Sequence, residues 1–271
     1  MNTPYYLFFF MFLIGLSACS EEATIETVDD LTVEAYLKAG EPVSLVRFGR
    51  LIPLDSTQFL GPPTDLEPKI IVDGETFPLF PTEVDGIFQN LDLIIETGKT
   101  YRLEVEYNGE LTTAETFILT APENLTLSQT SIEVQQINDI GDVLELDPPD
   151  PVEVDWDGPD GAYYFVTVDN LETNPERVNT LVEDNEGGGF LAVQTEPSTE
   201  SVYDINTFQD ITFFGTYRVE VFRVNAEYLA VYDDNSSGSN SLNQITTNVV
   251  NGFGLFTGVN SSVVFLEVIK E

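Results

Sequence analysis

Short segments in which apolar and polar residues alternate, separated by turn residues, run through most of this chain. One such run has apolar residues at every second position: Leu31, Val33, Ala35 and Leu37. A period of two places these side chains on one face of a β-strand, with that face buried. Helical spacing is hardly seen before about residue 120, so the pattern predicts an all-β fold built from sandwiches of antiparallel strands.

Two dipeptides predict tight hairpins between such strands. Asn108-Gly109 follows the alternating run that ends at Tyr107 and precedes a threonine-rich apolar stretch, and Asp73-Gly74 lies between two further apolar segments. Asn-Gly and Asp-Gly favour the positive φ angles of a type I′ turn. These turns predict antiparallel pairing in the first half of the chain.

The second half carries a similar pattern around its single tryptophan. Val152, Val154 and Trp156 share one face of a predicted strand. A later strand has Tyr217, Val219 and Val221 on one face and Arg218, Glu220 and Phe222 on the other. Together with Tyr164, this arrangement resembles a fibronectin type III domain, in which a tryptophan packs beneath a tyrosine-bearing late strand. We therefore expect two immunoglobulin-like or fibronectin-like β-sandwiches in tandem.

One segment departs from the β pattern. Residues 225–232 contain helix formers, and Tyr228, Leu229 and Tyr232 are spaced to share a helical face. We expect one short helix here, followed by a polar surface loop over 234–241.

The N-terminus indicates export and lipidation. The first eighteen residues contain no charged side chain, and an apolar run from Leu7 to Leu16 leads into a sequence that resembles the bacterial lipobox: Leu16, Ser17, Ala18 and Cys19. This length is typical of a signal peptide and shorter than the roughly 20 apolar residues that span a bilayer. Cys19 is also the only cysteine. We expect cleavage before Cys19 and lipid attachment to it, which leaves no thiol for an internal disulfide.

Prolines and changes in composition divide the chain. Ala121-Pro122 and a proline-rich acidic stretch up to Pro151, which we expect to be irregular from Ile137 onward, interrupt the strand pattern. The predicted organisation is a signal peptide (1–18), a flexible tether (19–30), an N-terminal sandwich (31–121), a linker and boundary strand (122–150) and a C-terminal fibronectin-like domain (151–271).

The charge excludes several partners. There are 47 acidic residues and 10 basic ones, giving a formal net charge of −37. Phosphate-bearing nucleic acid and anionic lipid head groups would be repelled. We expect no nucleic acid partner, and contact with a membrane only through the N-terminal lipid.

Three stretches together resemble a family of Bacteroidota lipoproteins of unknown function: residues 157–164, the segment Glu227-Tyr228-Leu229, and residues 251–258 with the sequence Asn-Gly-Phe-Gly-Leu-Phe-Thr-Gly. The resemblance implies an N-terminal transthyretin-like or carboxypeptidase-regulatory-like sandwich before the fibronectin-like part. It also implies that Ser20, Glu21 and Glu22 form a surface-export tag, that the protein lies on the outer membrane, and that a TonB-dependent transporter is a partner.

The glycines of the last stretch have a physical meaning independent of the family. Gly252, Gly254 and Gly258 alternate with bulky apolar residues. Glycine permits backbone conformations closed to other residues and close approach of a neighbouring chain. We expect a final strand packed tightly on a sandwich, with a ligand-facing loop as the alternative.

The chain offers little catalytic machinery. It has no histidine, which excludes Ser-His-Asp and Cys-His nucleophiles and the usual histidine-bearing zinc sites. Carboxylate pairs remain, but with 47 acids they arise by chance. Two acidic segments could hold calcium, namely 233–238 and the trio Asp155, Asp157 and Asp160, although solvated acidic loops explain both better. We expect no enzyme activity, no metal and no cofactor.

The resulting functional hypothesis is a lipid-anchored, non-enzymatic binding or accessory component of a TonB-dependent uptake system. Its ligand would be a glycan, a peptide or another nutrient, met by loops 225–243 and 183–190. A structural or adhesive surface protein is the alternative, and a carboxylate-based hydrolase is a remote one.

Overall fold

The computed structural model describes residues 29–51, 61–145, 149–181, 192–230 and 247–271. The signal peptide, the lipobox and the predicted export tag therefore lie outside the described residues. Within the described ranges, no helix is long and apolar enough to cross a membrane.

The fold is all-β, as the alternating pattern predicts. Among the described residues of the first half there are eight strands: β1 (Asp30–Lys38), β2 (Pro42–Leu51), β3 (Lys69–Val72), β4 (Glu75–Pro78), β5 (Phe80–Pro81), β6 (Ile87–Ile94), β7 (Thr100–Tyr107) and β8 (Glu110–Phe117). The second half adds β9 (Glu123–Leu127), β10 (Ser131–Val134), α1 (Ile140–Glu145), β11 (Val152–Asp157), β12 (Tyr163–Asn170), β13 (Ala192–Gln194), β14 (Val202–Ile205), β15 (Gly215–Val224), β16 (Val249–Val250) and β17 (Phe253–Lys270).

These strands form three sheets. The largest has the order β13-β12-β15-β17-β1-β2-β6-β5, with β10 also paired to β17. A five-stranded sheet, β16-β8-β7-β3-β4, faces its N-terminal part, and a three-stranded sheet, β14-β11-β9, faces its C-terminal part. One core holds Leu31, Leu103 and Phe256, and the other holds Trp156 and Val219. Two sandwiches thus share one continuous sheet.

Strand β17 joins the two sandwiches. Its first residues pair in parallel with β1, from Thr32 opposite Phe253 to Lys38 opposite Val259. Its remaining length pairs antiparallel with β15. Residues 249–259, which were expected to belong to the C-terminal domain, therefore complete the N-terminal sandwich.

Side-chain hydrogen bonds reinforce this junction. Asn225 donates to the carbonyl oxygens of Phe117 (2.9 Å) and Gly258 (3.2 Å). Asn260 donates to the carbonyl oxygen of Leu119 at 2.7 Å. These two amides thus bond to the backbone after β8 and on β17, and so hold the junction together.

The glycine-rich stretch forms the tight final strand that the sequence predicts. Gly254 has a φ of +110°, and a Cβ added there would lie 2.0 Å from the carbonyl oxygen of Val33 on β1. A Cβ at Gly258 would lie 2.6 Å from Ile118 Cδ1. The parallel pairing of β17 with β1 therefore depends on the missing side chain at Gly254.

Both sandwiches contain a tyrosine whose hydroxyl returns to the backbone a few residues upstream. Tyr217 OH donates to the carbonyl oxygen of Phe213 (2.9 Å) and accepts the N–H of the same residue (3.0 Å). Tyr101 OH accepts the N–H of Glu96 at 2.7 Å. A tyrosine corner of this kind is a hallmark of immunoglobulin-like sandwiches. Trp156 packs edge-on against Tyr164, with ring centroids 5.6 Å apart.

The predicted hairpins are confirmed. Asn108 and Gly109 have φ angles of 51° and 81°, and Asp73 and Gly74 have 53° and 81°. Residues 226–230 are helical, which confirms the short helix as far as the described residues reach.

Two regions differ from the sequence-based expectation. The stretch expected to be irregular contains α1, which makes a second short helix. Asp139 accepts the N–H of Asp142 at 3.3 Å, and Asp142 accepts the N–H of Asp139 at 3.1 Å. These reciprocal bonds form a capping box with Asp in place of Glu, and they stabilise a helix too short for a periodic signal.

The second difference is at the start of the fold. Asp29 and Asp30, which were expected to be part of the flexible tether, are fixed, because β1 begins at Asp30 and Asp29 pairs with Arg50 at 3.3 Å.

We expect Gly254→Ala to destabilise the protein by at least about 2 kcal/mol more than Gly98→Ala, because the added methyl meets the β1 backbone. Gly98 is the matched control: it has a φ of +80° but nothing within 4 Å of an added Cβ, so it reports backbone strain alone. Urea unfolding of the two variants and the parent measures the difference. Equal losses would contradict close packing at β17.

Candidate functional site

A groove lies on the face of the nine-stranded sheet that turns away from both cores. Alternate residues of β15 point into the core, whereas Arg218, Glu220 and Phe222 point outward, as the sequence predicts. With neighbours on β1, β12, β13 and β17 they line a cavity of about 480 Å³. This junction groove is lined by Tyr36, Lys38, Glu41, Phe165, Gln194, Arg218, Glu220, Phe222, Tyr228 and Val259.

Val259 fixes the position of the groove at the meeting point of the two sandwiches. It pairs with Lys38 on β1 and with Val224 on β15. The lining side chains of the N-terminal half, from β1, thereby lie beside those of the C-terminal half. The groove consequently exists only when both halves are paired through β17.

Four aromatic rings from four different elements meet in the groove. Phe165 and Phe222, on adjacent strands, stack with centroids 4.6 Å apart and planes 13° from parallel. Tyr228, from the short helix, stacks on Phe165 at 5.7 Å, and Tyr36 meets Tyr228 edge-on at 6.4 Å. Such offset and edge contacts are the favoured geometries of aromatic rings.

The charged side chains of the groove pair with one another. The Glu220 side chain is only 3% exposed, and its carboxylate accepts Lys38 Nζ at 2.9 Å and Ser261 Oγ at 2.5 Å. Lys38 also reaches Glu41 at 3.0 Å, and Arg218 pairs with Asp169 at 2.8 Å. Because a buried carboxylate without partners would be strongly destabilising, these contacts explain how Glu220 is accommodated.

The pKa shifts in the groove keep these groups in their usual charge states. Burial lowers the pKa of Lys38, but hydrogen bonds to Glu220 and Glu41 outweigh it, so that the pKa lies above its ordinary value. Burial raises the pKa values of the Tyr36 and Tyr228 hydroxyls. The groove therefore presents neutral phenols and a fully protonated lysine near neutral pH.

Two polar atoms on this face keep unused hydrogen-bonding capacity. Thr167 Oγ1, opposite Glu220 in the sheet register, and Arg218 Nε have no hydrogen-bond partner in the described part of the chain. Arg218 Nε is 3.6 Å from the Glu220 carboxylate, which is an ion-pair distance rather than a hydrogen bond. Unpaired buried polar groups are uncommon in folded proteins.

A second cavity, of about 450 Å³, has a different character. It lies beside β3 and the β7–β8 hairpin, and an ion pair between Lys69 and Glu104 at 3.2 Å crosses it. Its lining includes the further acids Asp65, Glu67 and Glu106 and no aromatic side chain. It offers little apolar surface to hold a ligand, so the junction groove is the stronger candidate.

The structure describes only some of the site residues that the sequence predicts. The lipidation residue Cys19, the lipobox Leu16-Ser17-Ala18 and the tag Ser20-Glu21-Glu22 lie outside the described residues, as does the acidic segment 233–238. Of the predicted ligand loops, 183–190 lies outside as well, and 225–243 is described only to residue 230. Asp155, Asp157 and Asp160 do not converge, because the described residues contain no group of three or more potential metal ligands.

Sequence reasoning did not identify the groove itself. The available signal was the outward face of one strand, where Arg218, Glu220 and Phe222 mix charge with an aromatic ring. Helix residue Tyr228, which lies in one of the predicted loops, was the second signal. Nothing in the sequence placed Tyr36 and Lys38 beside them.

Comparisons with known proteins place the chain in a family. No curated protein matches it. Among solved structures, a two fibronectin type III domain segment from chicken tenascin is similar, with 12% identity, a TM-score of 0.25, and coverage of 89% of this chain and 99% of that one. At that score the likeness adds nothing to the fold described above. Residues 20–263 match a family described as Domain of unknown function (DUF4249). Since the match covers most of the sequence, the chain belongs to this family.

Proposed function

We propose that this protein is a non-enzymatic binding or accessory protein, anchored by a lipid on Cys19 to the outer surface of the outer membrane. The observation that carries the proposal is the junction groove, where aromatic rings lie beside charged groups that neutralise one another. A proton-transfer site needs an acid or base poised to change its charge. The paired ions of the groove instead suit the positioning of a ligand.

The path of the chain supports a tethered orientation. Asp29 is held by Arg50 and by the Tyr107 hydroxyl, which donates to it at 2.8 Å. Tyr36 lies seven residues further along β1, about 23 Å away at the usual rise of an extended strand. The N-terminal tether therefore enters at one end of β1 and the groove lies toward the other, so the groove can face away from the membrane.

The tether also favours binding to a partner that is embedded in the membrane. A lipid-anchored domain is confined to a thin layer above the membrane, where a weak contact with the external loops of a transporter is strengthened by high effective concentration. The family resemblance in the sequence suggests a TonB-dependent β-barrel as that partner. Helix 226–230 and β13 border the groove. In the sequence, the helix lies within segment 225–243 and β13 follows segment 183–190, the two segments predicted to contact the ligand.

A structural or adhesive role is the second candidate. It is favoured by the continuous nine-stranded sheet and by the polar contacts across the junction, which give a stiff two-sandwich body suited to a spacer. In that case the protein would have no stoichiometric transporter partner.

We expect Cys19→Ala to abolish membrane attachment, because no other thiol is available to carry the lipid. Membrane fractionation and incorporation of labelled palmitate provide the measurement, with wild type as the positive control. If the variant still fractionated with membranes and wild type incorporated no palmitate, the proposed anchor would be wrong.

Protease added to intact cells should digest the wild-type protein and spare a variant with Ala at Glu21 and Glu22. The proposed reason is that these acids, directly after the lipidated cysteine, direct the protein to the outer surface. A periplasmic protein serves as the control for cell integrity. Equal protection of wild type and variant would place the protein in the periplasm.

Mild detergent extraction and pull-down on a tagged copy should recover a large β-barrel protein in near-stoichiometric yield. The Cys19→Ala variant is the matched control, and it should recover much less barrel because it loses the high effective concentration. Recovery of the lipidated protein alone, at low salt, would favour the structural or adhesive role.

A further inference from the structure

We propose that the junction groove binds a short neutral oligosaccharide. This inference rests on the proposed binding function and names the class of ligand that the groove would take. Three features of the groove support it: the aromatic surface, the pairing of the charges and the position on the sheet.

The aromatic side chains provide flat surfaces of the kind that sugar rings contact. Tyr36 is 46% exposed and Tyr228 is half-buried at the wall of the groove, whereas the Phe222 ring is already covered by Phe165 and by Lys38 Nζ, 5.4 Å from its centroid. The face of an aromatic ring carries partial negative charge, whereas the C–H groups on a pyranose face carry partial positive charge. A sugar ring can therefore pack on the two tyrosines while its hydroxyls point sideways.

Polar side chains around these rings can meet the hydroxyls. Gln194, on β13, has both an amide donor and a carbonyl acceptor, and its Nε2 lies 3.5 Å from the Tyr228 hydroxyl. Arg218 and Glu41 add planar donor and acceptor groups, with side chains 43% and 55% exposed. Forked groups of this kind can bond two neighbouring hydroxyls at once.

The charge pattern favours a neutral ligand. Among the described residues, the lining has two cations, Lys38 and Arg218, and two anions, Glu41 and Glu220, which pair within the groove or with the neighbouring Asp169. A charged ligand would have to displace one of these ion pairs and leave its partner uncompensated. The net charge of −37 opposes acidic glycans further.

The position of the groove favours a sugar over a peptide. Extended peptides commonly bind by adding a strand to an exposed sheet edge, where backbone groups are free. The groove lies instead mainly over β15, β17 and β1, which are interior strands of the sheet, and only Gln194 comes from the edge strand β13. Its contacts therefore come from side chains, which suits a ligand rich in hydroxyls.

The experiment uses the full-length mature protein in detergent on an array of neutral gluco-, xylo-, manno- and galacto-oligosaccharides, followed by calorimetry with the best binder. Tyr36→Ala and Gln194→Ala should each weaken binding about 5- to 10-fold, the effect of losing one aromatic or hydrogen-bonded contact. Phe80→Ala is the matched control, because Phe80 is 55% exposed on β5 at the far edge of the same sheet. It should bind as wild type does.

Ionic strength separates the ligand classes. Affinity for a neutral sugar should change by less than about 2-fold between roughly 0.05 and 0.5 M salt, since no net charge is screened. Three results would overturn the proposal: no neutral oligosaccharide bound, a preference for acidic glycans or for peptides, or binding unaffected by both Tyr36→Ala and Gln194→Ala. These outcomes leave the membrane fractionation and pull-down results standing, so failure of the ligand class is distinguishable from failure of the proposed function.

Discussion

The pairing of β17 on both of its edges is the interaction on which the rest of the structure depends. Its first residues hydrogen-bond to β1 and its remaining length to β15, so one strand completes two sandwiches. The close approach to β1 requires Gly254, whose positive φ and missing Cβ leave room for the Val33 backbone. Neither core is complete without this strand, because Phe256 belongs to one and Leu266 to the other.

The groove follows from that pairing. Lys38 comes from the first strand of the fold and Glu220 from a late one, yet the register through Val259 brings them to 2.9 Å. Glu220 is nearly inaccessible to solvent, whereas the Lys38 side chain is 29% exposed, so losing Lys38 would cost less than the roughly 3–5 kcal/mol of a fully buried pair. The ion pair therefore acts as a polar link between the sandwiches, and it depends on their correct alignment.

The same arrangement supports the proposed binding function of the groove. Its rings are stacked on one another and its charges are mutually satisfied, so the surface is already organised before a ligand arrives. Preorganisation of this kind reduces the entropy lost on binding and fixes the orientation of the polar groups. Most of the side chains that line the groove lie on strands and a short helix, which hold them in place.

The sequence by itself determined the local structure. Alternation identified the strands, Asn108-Gly109 and Asp73-Gly74 identified hairpins, and the helix formers after Asn225 identified the helix, because each of these signals acts between residues close in the chain. The short helix α1 was not predicted, because its 6 residues are too few to show a helical period and its capping box is its main local signal.

Tertiary structure alone decided which strands far apart in the chain became neighbours. The pattern of Phe253–Lys270 indicates a strand with tightly packed glycines, but its alternation is equally compatible with any partner whose register buries the same face. Parallel pairing with β1 is selected by the combined packing of two cores, which no local window of sequence contains. The groove also depends on long-range pairing. The sequence predicts that Arg218, Glu220 and Phe222 share one face of a strand, but only the pairing through β17 brings them next to Tyr36 and Lys38.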